Sequence, residues 1–462
     1  VKPSAQHVHF LGICGTAMGA VAAAMRAQGF HVTGQDDEVY PPMSTFLESS
    51  GVEIISGYEA DGIPADTDVV VVGNAMSRGR PVVEAMLNRK LFYLSLPEVL
   101  KTYFLRGRHN LVVTGTHGKT TTTSILAWIF EHAGREPGYL IGGIPENLGH
   151  GACLRDSKYF IIEGDEYDTA FFDKRSKFIH YLPELVIVNN IEFDHADIFR
   201  DLDEIKTSFR RLLNIVPENG MVLLNADDPN CVDVGKNCPA PILEVGFSAN
   251  AGHPICNVEH IATGSAFQLF GERFEIPMLG EFNIRNAAMA ASAARFYGID
   301  IPVIREALAA FRGIKRRQEI RGVVAGVTVI DDFGHHPTAI RETLAGLRKR
   351  YGDARLWAIF EPRSNTTRRA VFQTSLPEAF LDASGVFIAQ IARLDQLPPD
   401  DRLDPERVVS DIAASGKPAF YEPTADDIVS RLKPLVMSGD VVVVFSNGEF
   451  DGIHEKLLSR LK

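Results

Sequence analysis

The stretch Leu111-Val112-Val113-Thr114-Gly115-Thr116-His117-Gly118-Lys119-Thr120-Thr121-Thr122 constrains this chain more than any other. Leu111 to Val113 is an apolar run that reads as a buried strand. A tight glycine turn follows. Ile125, Leu126, Ile129 and Phe130 then recur at helical spacing, so a helix is expected from Thr121 to His132. Strand, Gly-rich turn and helix together make a phosphate cradle. Backbone N–H groups and the helix N-terminus face the anion, the lysine adds a point charge, and the first threonine hydroxyl can reach magnesium. The spacing departs from the common P-loop: Gly115 lies three residues before Gly118, where that pattern has five. The bland alternative is a Gly/Thr-rich turn with a solvated lysine.

At 462 residues the chain is long enough for two to four domains, each with its own core. A net charge of −12 gives no electrostatic support to a nucleic-acid partner. No apolar stretch approaches the roughly 18 residues of a membrane span. Val1-Lys2-Pro3-Ser4 runs toward a strand without the pattern of a signal peptide. Cys14, Cys153, Cys231, Cys238 and Cys256 are an odd set without CxxC spacing, which points to reduced thiols in a cytoplasmic protein.

Three further groups of residues stand at expected strand ends. His7 to Leu11 runs into Gly12-Ile13-Cys14-Gly15-Thr16-Ala17-Met18-Gly19 and an Ala-rich helix. A second strand ends at Asp36, giving a βαβ opening with an acid about 20 residues on, the form of a nucleotide site. A glycine turn for close helix–strand packing is the alternative. Val69 to Val72 ends in Gly73-Asn74-Ala75-Met76. Asp37-Glu38-Val39-Tyr40-Pro41-Pro42-Met43 reads as an extended insertion, either a substrate lid or a Pro-rich loop.

In the middle third, Tyr159 to Ile162 ends in Glu163-Gly164-Asp165-Glu166, and Leu185 to Val188 ends in Asn189-Asn190-Ile191-Glu192-Phe193-Asp194-His195. In a parallel sheet both loops open at the edge that holds the lysine loop. Carboxylates there suit magnesium, and His195 suits a second divalent ion. A solvated acidic turn is the alternative. Residues 231–275 read as short strands and turns without chemistry. Asn283 and Asn286 lie on one helix face, to bond a base or to cap the helix. Lys315-Arg316-Arg317 precedes a strand ending in Asp331-Asp332-Phe333-Gly334-His335-His336-Pro337. Arg317 is suited to stabilise transferring charge or to serve as a basic linker. Arg363 and Asn365 follow a later strand end, and arginine binds carboxylates bidentately.

Taken together, the lysine loop, Glu163-Gly164-Asp165-Glu166, Asn190 to His195, Asn283-Ile284-Arg285-Asn286-Ala287 and Asp331 to Pro337 resemble the Mur ligases over nearly the whole chain. The resemblance implies an α/β fold of three domains. These are a Rossmann-like UDP-sugar domain (1–107), a central P-loop ATPase-type domain with a mainly parallel sheet (108–314), and a Rossmann-like C-terminal domain (315–462). It implies that Gly115, Thr116, His117, Gly118, Lys119, Thr120, Thr121, Asn286, Arg317 and Asp332 bind ATP. By the same resemblance Thr120, Glu163 and His195 hold magnesium, while Lys119, Glu163, His195 and Arg317 serve catalysis. Gly12, Cys14, Gly15, Thr16, Ala17, Met18, Asp36, Asn74, Ala75 and Met76 would face the UDP-sugar, and Arg363 and Asn365 the peptide.

Within the family, Gly12 to Thr16, Val39 to Ser44, Gly73 to Met76, Phe171 to Phe178 and Glu361 to Thr366 resemble members that join a recycled tripeptide to UDP-N-acetylmuramate, with ATP as co-substrate. The sibling activity, addition of L-alanine in de novo peptidoglycan synthesis, is the alternative. Phe282 stands where relatives often have histidine before the adenine helix. Lys206 is a weak counterpart of the carbamylated lysine of several relatives, with Arg210 near that position. A dinucleotide oxidoreductase would explain the first glycine turn but not the lysine loop. A non-catalytic nucleotide-binding regulator would bind nucleotide without forming an amide bond.

Overall fold

The computed structural model describes residues 6–41, 43–261 and 263–462; the readings on Val1 to Ser4 and on Pro42 lie outside them. Val69–Val72, Leu185–Val188 and Val441–Phe445 are buried at every position. Such runs belong to parallel strands covered on both faces, and each is an interior strand of one of three sheets. The first sheet is parallel, in the order Glu53–Ser56, His31–Asp36, His7–Leu11, Val69–Val72, Tyr93–Ser95. The strand order reverses beside His7–Leu11, which opens a crevice at the Gly12 and Gly73 turns.

The central sheet runs His253–Pro254, Ile242–Gly246, Met221–Asn225, Leu185–Val188, His109–Thr114, Tyr159–Glu163, Gly138–Leu140, Ala152–Cys153. Its pairs are parallel except the last. Register pairs Thr114 with Val188 and Val113 with Glu163. The lysine loop, the Asn189 loop and the acidic loop therefore leave one edge side by side. A small antiparallel sheet, Cys256–Ile261, Gly264–Leu269 and Glu272–Ile276, is attached. The third sheet runs Glu319–Val324, Val327–Asp332, Val441–Phe445, Leu356–Phe360, Gly385–Ala389, Ala419–Glu422, antiparallel only at its first pair.

Some elements depart from expectation. The helix after the lysine loop spans Lys119–His132, two residues earlier than its apolar spacing suggests, because left-handed Gly118 (φ 76°) ends the turn at once. Asn283 sits inside the helix Glu281–Phe296, with Gly280 at its start, and its Nδ2 donates to the Leu279 carbonyl. Pro229–Gly235 is a helix where short strands and turns are expected, since Asp228 accepts the Asn230 and Cys231 amides and Pro229 needs no acceptor. The insertion read over Asp37 to Met43 carries no helix or strand at residues 37–41, and only its last residue, Met43, joins the helix Met43–Ser49.

The cores of the first two domains are continuous. Val99, Leu100, Phe104 and Leu105 pack among Val8, Val112 and Phe178. The five cysteines are free thiols. Among the described residues, no helix is long and apolar enough to cross a membrane.

Candidate active site

A cavity of about 980 Å³ opens where the three sheets converge, lined from all of them. At its centre the Lys119 ammonium donates to the Gly115 carbonyl at 2.8 Å and to Glu166 Oε2 at 2.9 Å. Glu166 is 2% exposed and Lys119 12%. The other Glu166 oxygen lies 3.2 Å from His195 Nε2. Burial opposes the charge on Lys119, but Glu166 first, then Asp165 and Glu163, outweigh it and raise the ammonium pKa. Burial likewise opposes the Glu166 carboxylate, yet Lys119 and His195 hold it down at about 2. His195 is raised: its bond to Glu166 overcomes burial. Its backbone is left-handed (φ 53°), a conformation that costs energy for a non-glycine residue and clusters at functional sites.

Beside this group, Thr120 Oγ1 donates to Glu163 Oε1 at 2.9 Å, and the Gly142 amide donates to Oε2 at 2.7 Å. Burial and Asp165 push Glu163 up, against Lys119. A hydroxyl and a carboxylate at this distance are hard oxygen donors, the kind magnesium takes. No side chain caps the helix at Lys119, so its first-turn amides stay available to an anion. Gly118 is required here. A Cβ on it would stand 2.6 Å from Asn286 Oδ1, so this asparagine packs directly over the loop.

The C-terminal domain reaches in through Arg317, whose Nη2 is 3.5 Å from Thr120 Oγ1 and whose guanidinium lies 4.9 Å from the Phe333 ring centroid. Arg316 (φ 63°) and Gln318 (φ 52°) flank it in left-handed conformations. Asp332 accepts the Gln318 and Gly334 amides at 2.9 and 2.7 Å. Burial raises its pKa although Arg317 opposes this.

Gly15, Thr16, Ala17, Met18, Asn74, Thr116, His117, Gly118, Lys119, Thr120, Thr121, Glu163, His195, Asn286, Arg317 and Asp332 all line the one cavity. Gly12, Cys14, Asp36, Ala75, Met76 and Gly115 are not among its lining residues. Asp36 accepts the Cys14 amide at 2.8 Å, the Glu38 amide at 3.2 Å and the Tyr58 hydroxyl at 3.2 Å, so its carboxylate braces the turn. Met43, the last residue of the insertion, and Phe46, three residues on, line the cavity. Lys206 is not among the lining residues; it pairs with Asp233 at 3.1 Å.

Arg363 and Asn365 line a second cavity of about 470 Å³ together with Arg393 and Asn447. Tyr167, Asp194, His195, Phe333 and His335 line both cavities. Between the central and C-terminal domains, Glu192 accepts from Thr338 Oγ1 at 2.7 Å and lies 3.6 Å from His117 Nε2 and 3.5 Å from His336 Nδ1.

The sequence pattern does not by itself single out Glu166, Glu192, Phe333 or Arg393. Glu166 carried a signal, since a buried lysine needs a counter-charge and the loop offers three acids. The choice among them depends on how the loop turns.

The lysine loop on a central parallel strand, two acidic strand ends beside it and two flanking Rossmann-like layers define a nucleotide-using enzyme of three domains. Family profiles agree in order along the chain: "Mur ligase family, catalytic domain" at residues 7–107, "Mur ligase middle domain" at 113–294, and "Mur ligase, glutamate ligase domain" at 316–448. The chain belongs to the Mur ligase family and is a ligase. It is 43% identical over 462 residues to UDP-N-acetylmuramate–L-alanyl-γ-D-glutamyl-meso-2,6-diaminoheptandioate ligase of Haemophilus influenzae, covering 99% of each chain. It is 30% identical to UDP-N-acetylmuramate–L-alanine ligase of Desulforapulum autotrophicum, covering 98% of each. A crystal structure of murein peptide ligase from Psychrobacter arcticus 273-4 matches with a TM-score of 0.74 and 38% identity, over 99% of this chain and 98% of that one.

Proposed function

We propose that this chain joins the free amine of L-alanyl-γ-D-glutamyl-meso-diaminopimelate to the lactyl carboxylate of UDP-N-acetylmuramate, with ATP as co-substrate. The reaction would belong to peptidoglycan recycling in the cytoplasm. Residues 1–107 would bind the UDP-sugar, 108–314 the ATP, and 315–462 would close over both.

A carboxylate is a poor acyl donor at neutral pH, so ATP activates it. The γ-phosphoryl moves to the lactyl oxygen and ADP leaves; the resulting acyl phosphate is attacked by the amine, and phosphate leaves. Lys119 and the first-turn amides hold the polyphosphate. Asn286, Arg317 and Asp332 contact ATP, and Arg317 offsets the charge spread over the moving phosphoryl. Thr120 and Glu163 would supply oxygen donors for one magnesium ion and His195 a nitrogen for another, and bound there they would offset phosphate charge. Burial lowers the His335 pKa, so a neutral imidazole faces the junction of the two cavities, fit to accept the amine proton.

The observation that carries the choice of amine donor is the second cavity. It adjoins the first through His195 and His335, and Arg363 and Arg393 give it two guanidinium groups. A tripeptide with distal carboxylates fills such a space, whereas L-alanine would leave it empty. The deciding assay is ADP release with UDP-N-acetylmuramate and each amine donor in competition. Tripeptide should win clearly. Preference for L-alanine would move the assignment to the sibling activity, and nucleotide binding without product would leave a regulator.

A further inference from the structure

The N-terminal sheet holds a row of polar side chains that the reaction does not use. His7 and His9 on one strand, with Thr33 and Gln35 on the next, lie on a single face of the sheet. Their hydrogen bonds fix one another's protons. Gln35 Nε2 donates to the carbonyls of Gly57 at 3.2 Å and Glu59 at 3.4 Å. Its Oε1 therefore faces His9 Nε2, 3.1 Å away. An amide oxygen only accepts, so His9 carries its proton on Nε2. Burial pushes the His9 pKa down to about 4, leaving the ring neutral and Nδ1 bare. That nitrogen accepts from the Thr33 hydroxyl at 2.8 Å. With its one proton committed, Thr33 Oγ1 accepts from His7 Nε2, also at 2.8 Å.

The chain of bonds ends at a conflict. Among the described residues His7 Nδ1 is buried without a hydrogen-bond partner, and the side chain is 5% exposed. This nitrogen faces Asp66 Oδ1 at 3.2 Å. With Nε2 already protonated, Nδ1 presents a lone pair to a carboxylate, and a cation belongs between them. The His31 ring stands beside it, centroid to centroid 4.0 Å. One ligand atom each from His7, His31 and Asp66 lie within 4.8 Å of one another.

We propose that His7 Nδ1, His31 and Asp66 bind a divalent transition ion, zinc foremost, at the far end of the N-terminal strands from the catalytic cavity. Two borderline imidazole nitrogens with one carboxylate oxygen form a three-ligand set that zinc takes, leaving a fourth position for water. A tetrahedral ion with bonds of about 2.0–2.1 Å sets neighbouring ligand atoms roughly 3.3 Å apart, and the His7–Asp66 pair already stands at 3.2 Å. The His31 and Asp66 side chains are exposed and free to close the remaining distance. Thr33, holding the second nitrogen of His7, is the outer partner that orients a metal-binding imidazole. The ion would tie the strands His7–Leu11 and His31–Asp36 to the loop carrying Asp66. That loop is already held by the His7 amide, which donates to Asp68 at 2.8 Å.

The test uses the untagged full chain, stripped with chelator and titrated with zinc chloride by calorimetry. Cobalt(II) serves as a visible probe of four-coordinate geometry. Wild type should take up one equivalent more than His31→Ala or Asp66→Ala, or bind it at least about tenfold more tightly. Zinc should raise the unfolding temperature of wild type alone. The exposed positions of both substitutions leave the fold intact, which circular dichroism checks. Equal stoichiometry and affinity in wild type and both variants would overturn the proposal: any bound zinc would then sit elsewhere, and a proton would be the cation between His7 and Asp66.

Discussion

Replacing Glu166 with glutamine tests the assignment of the phosphate-binding lysine. The substitution keeps the shape and one acceptor but removes the counter-charge of an ammonium that is 12% exposed. Breaking a buried ion pair from one side costs about 3–5 kcal/mol. Asp165 and Glu163 still face Lys119, so the lower end, about 3 kcal/mol, is expected. At about 2–4 °C per kcal/mol for a domain of this size, unfolding should begin roughly 6–12 °C lower. A bound polyphosphate restores negative charge beside Lys119. Saturating magnesium and a non-hydrolysable ATP analogue should therefore raise the unfolding temperature of Glu166→Gln by more than they raise that of wild type. Differential scanning calorimetry with and without the analogue reads both quantities. An equal nucleotide shift in the two proteins would refute the reasoning, because the phosphates would then not be what Lys119 meets.

Lys119→Ala should abolish ADP release while calorimetric binding of UDP-N-acetylmuramate stays nearly unchanged; equal turnover in variant and wild type would remove the loop from the mechanism. Gly118→Ala places a side chain at φ 76°, at about 1–2 kcal/mol, and its Cβ would meet Asn286 Oδ1 at 2.6 Å. Urea unfolding should show the stability loss and nucleotide titration a weaker affinity, and retention of both would contradict the close packing. His9 has its pKa near 4 when folded and about 6.5 when unfolded. Between those values the unfolded chain binds a proton that the folded one refuses, so stability is full above pH 6.5 and falls as the pH drops toward 4. The total is about 3 kcal/mol, and His9→Gln should flatten that part of the profile; an unchanged slope would assign it to other groups.

The residues that line the cavity came mostly from strand-end loops, and strand ends are legible. A buried parallel strand is a short apolar run, and the polar residues after it face the sheet's open edge. That logic reaches Lys119, Glu163, His195 and Asp332, which lie along one chain but far apart in it. At Asp36 the strand-end carboxylate accepts the Cys14 amide and so closes its own turn. The logic fails for Arg393, whose approach to Arg363 requires two loops of the third sheet to fold toward each other.

Local sequence alone determined the strand–glycine turn–helix at Lys119, the buried strands with polar ends, and the motifs whose resemblance names the family and its three-domain plan, since apolar periodicity, glycine turns and motif spacing are properties of neighbouring residues. Tertiary structure alone decided that Glu166 neutralises Lys119, that Asn286 seals Gly118, and that two cavities meet at His195 and His335. Those choices depend on strand register and on how one domain is set against another. Both are fixed by packing between segments a hundred or more residues apart, which no short window of sequence encodes.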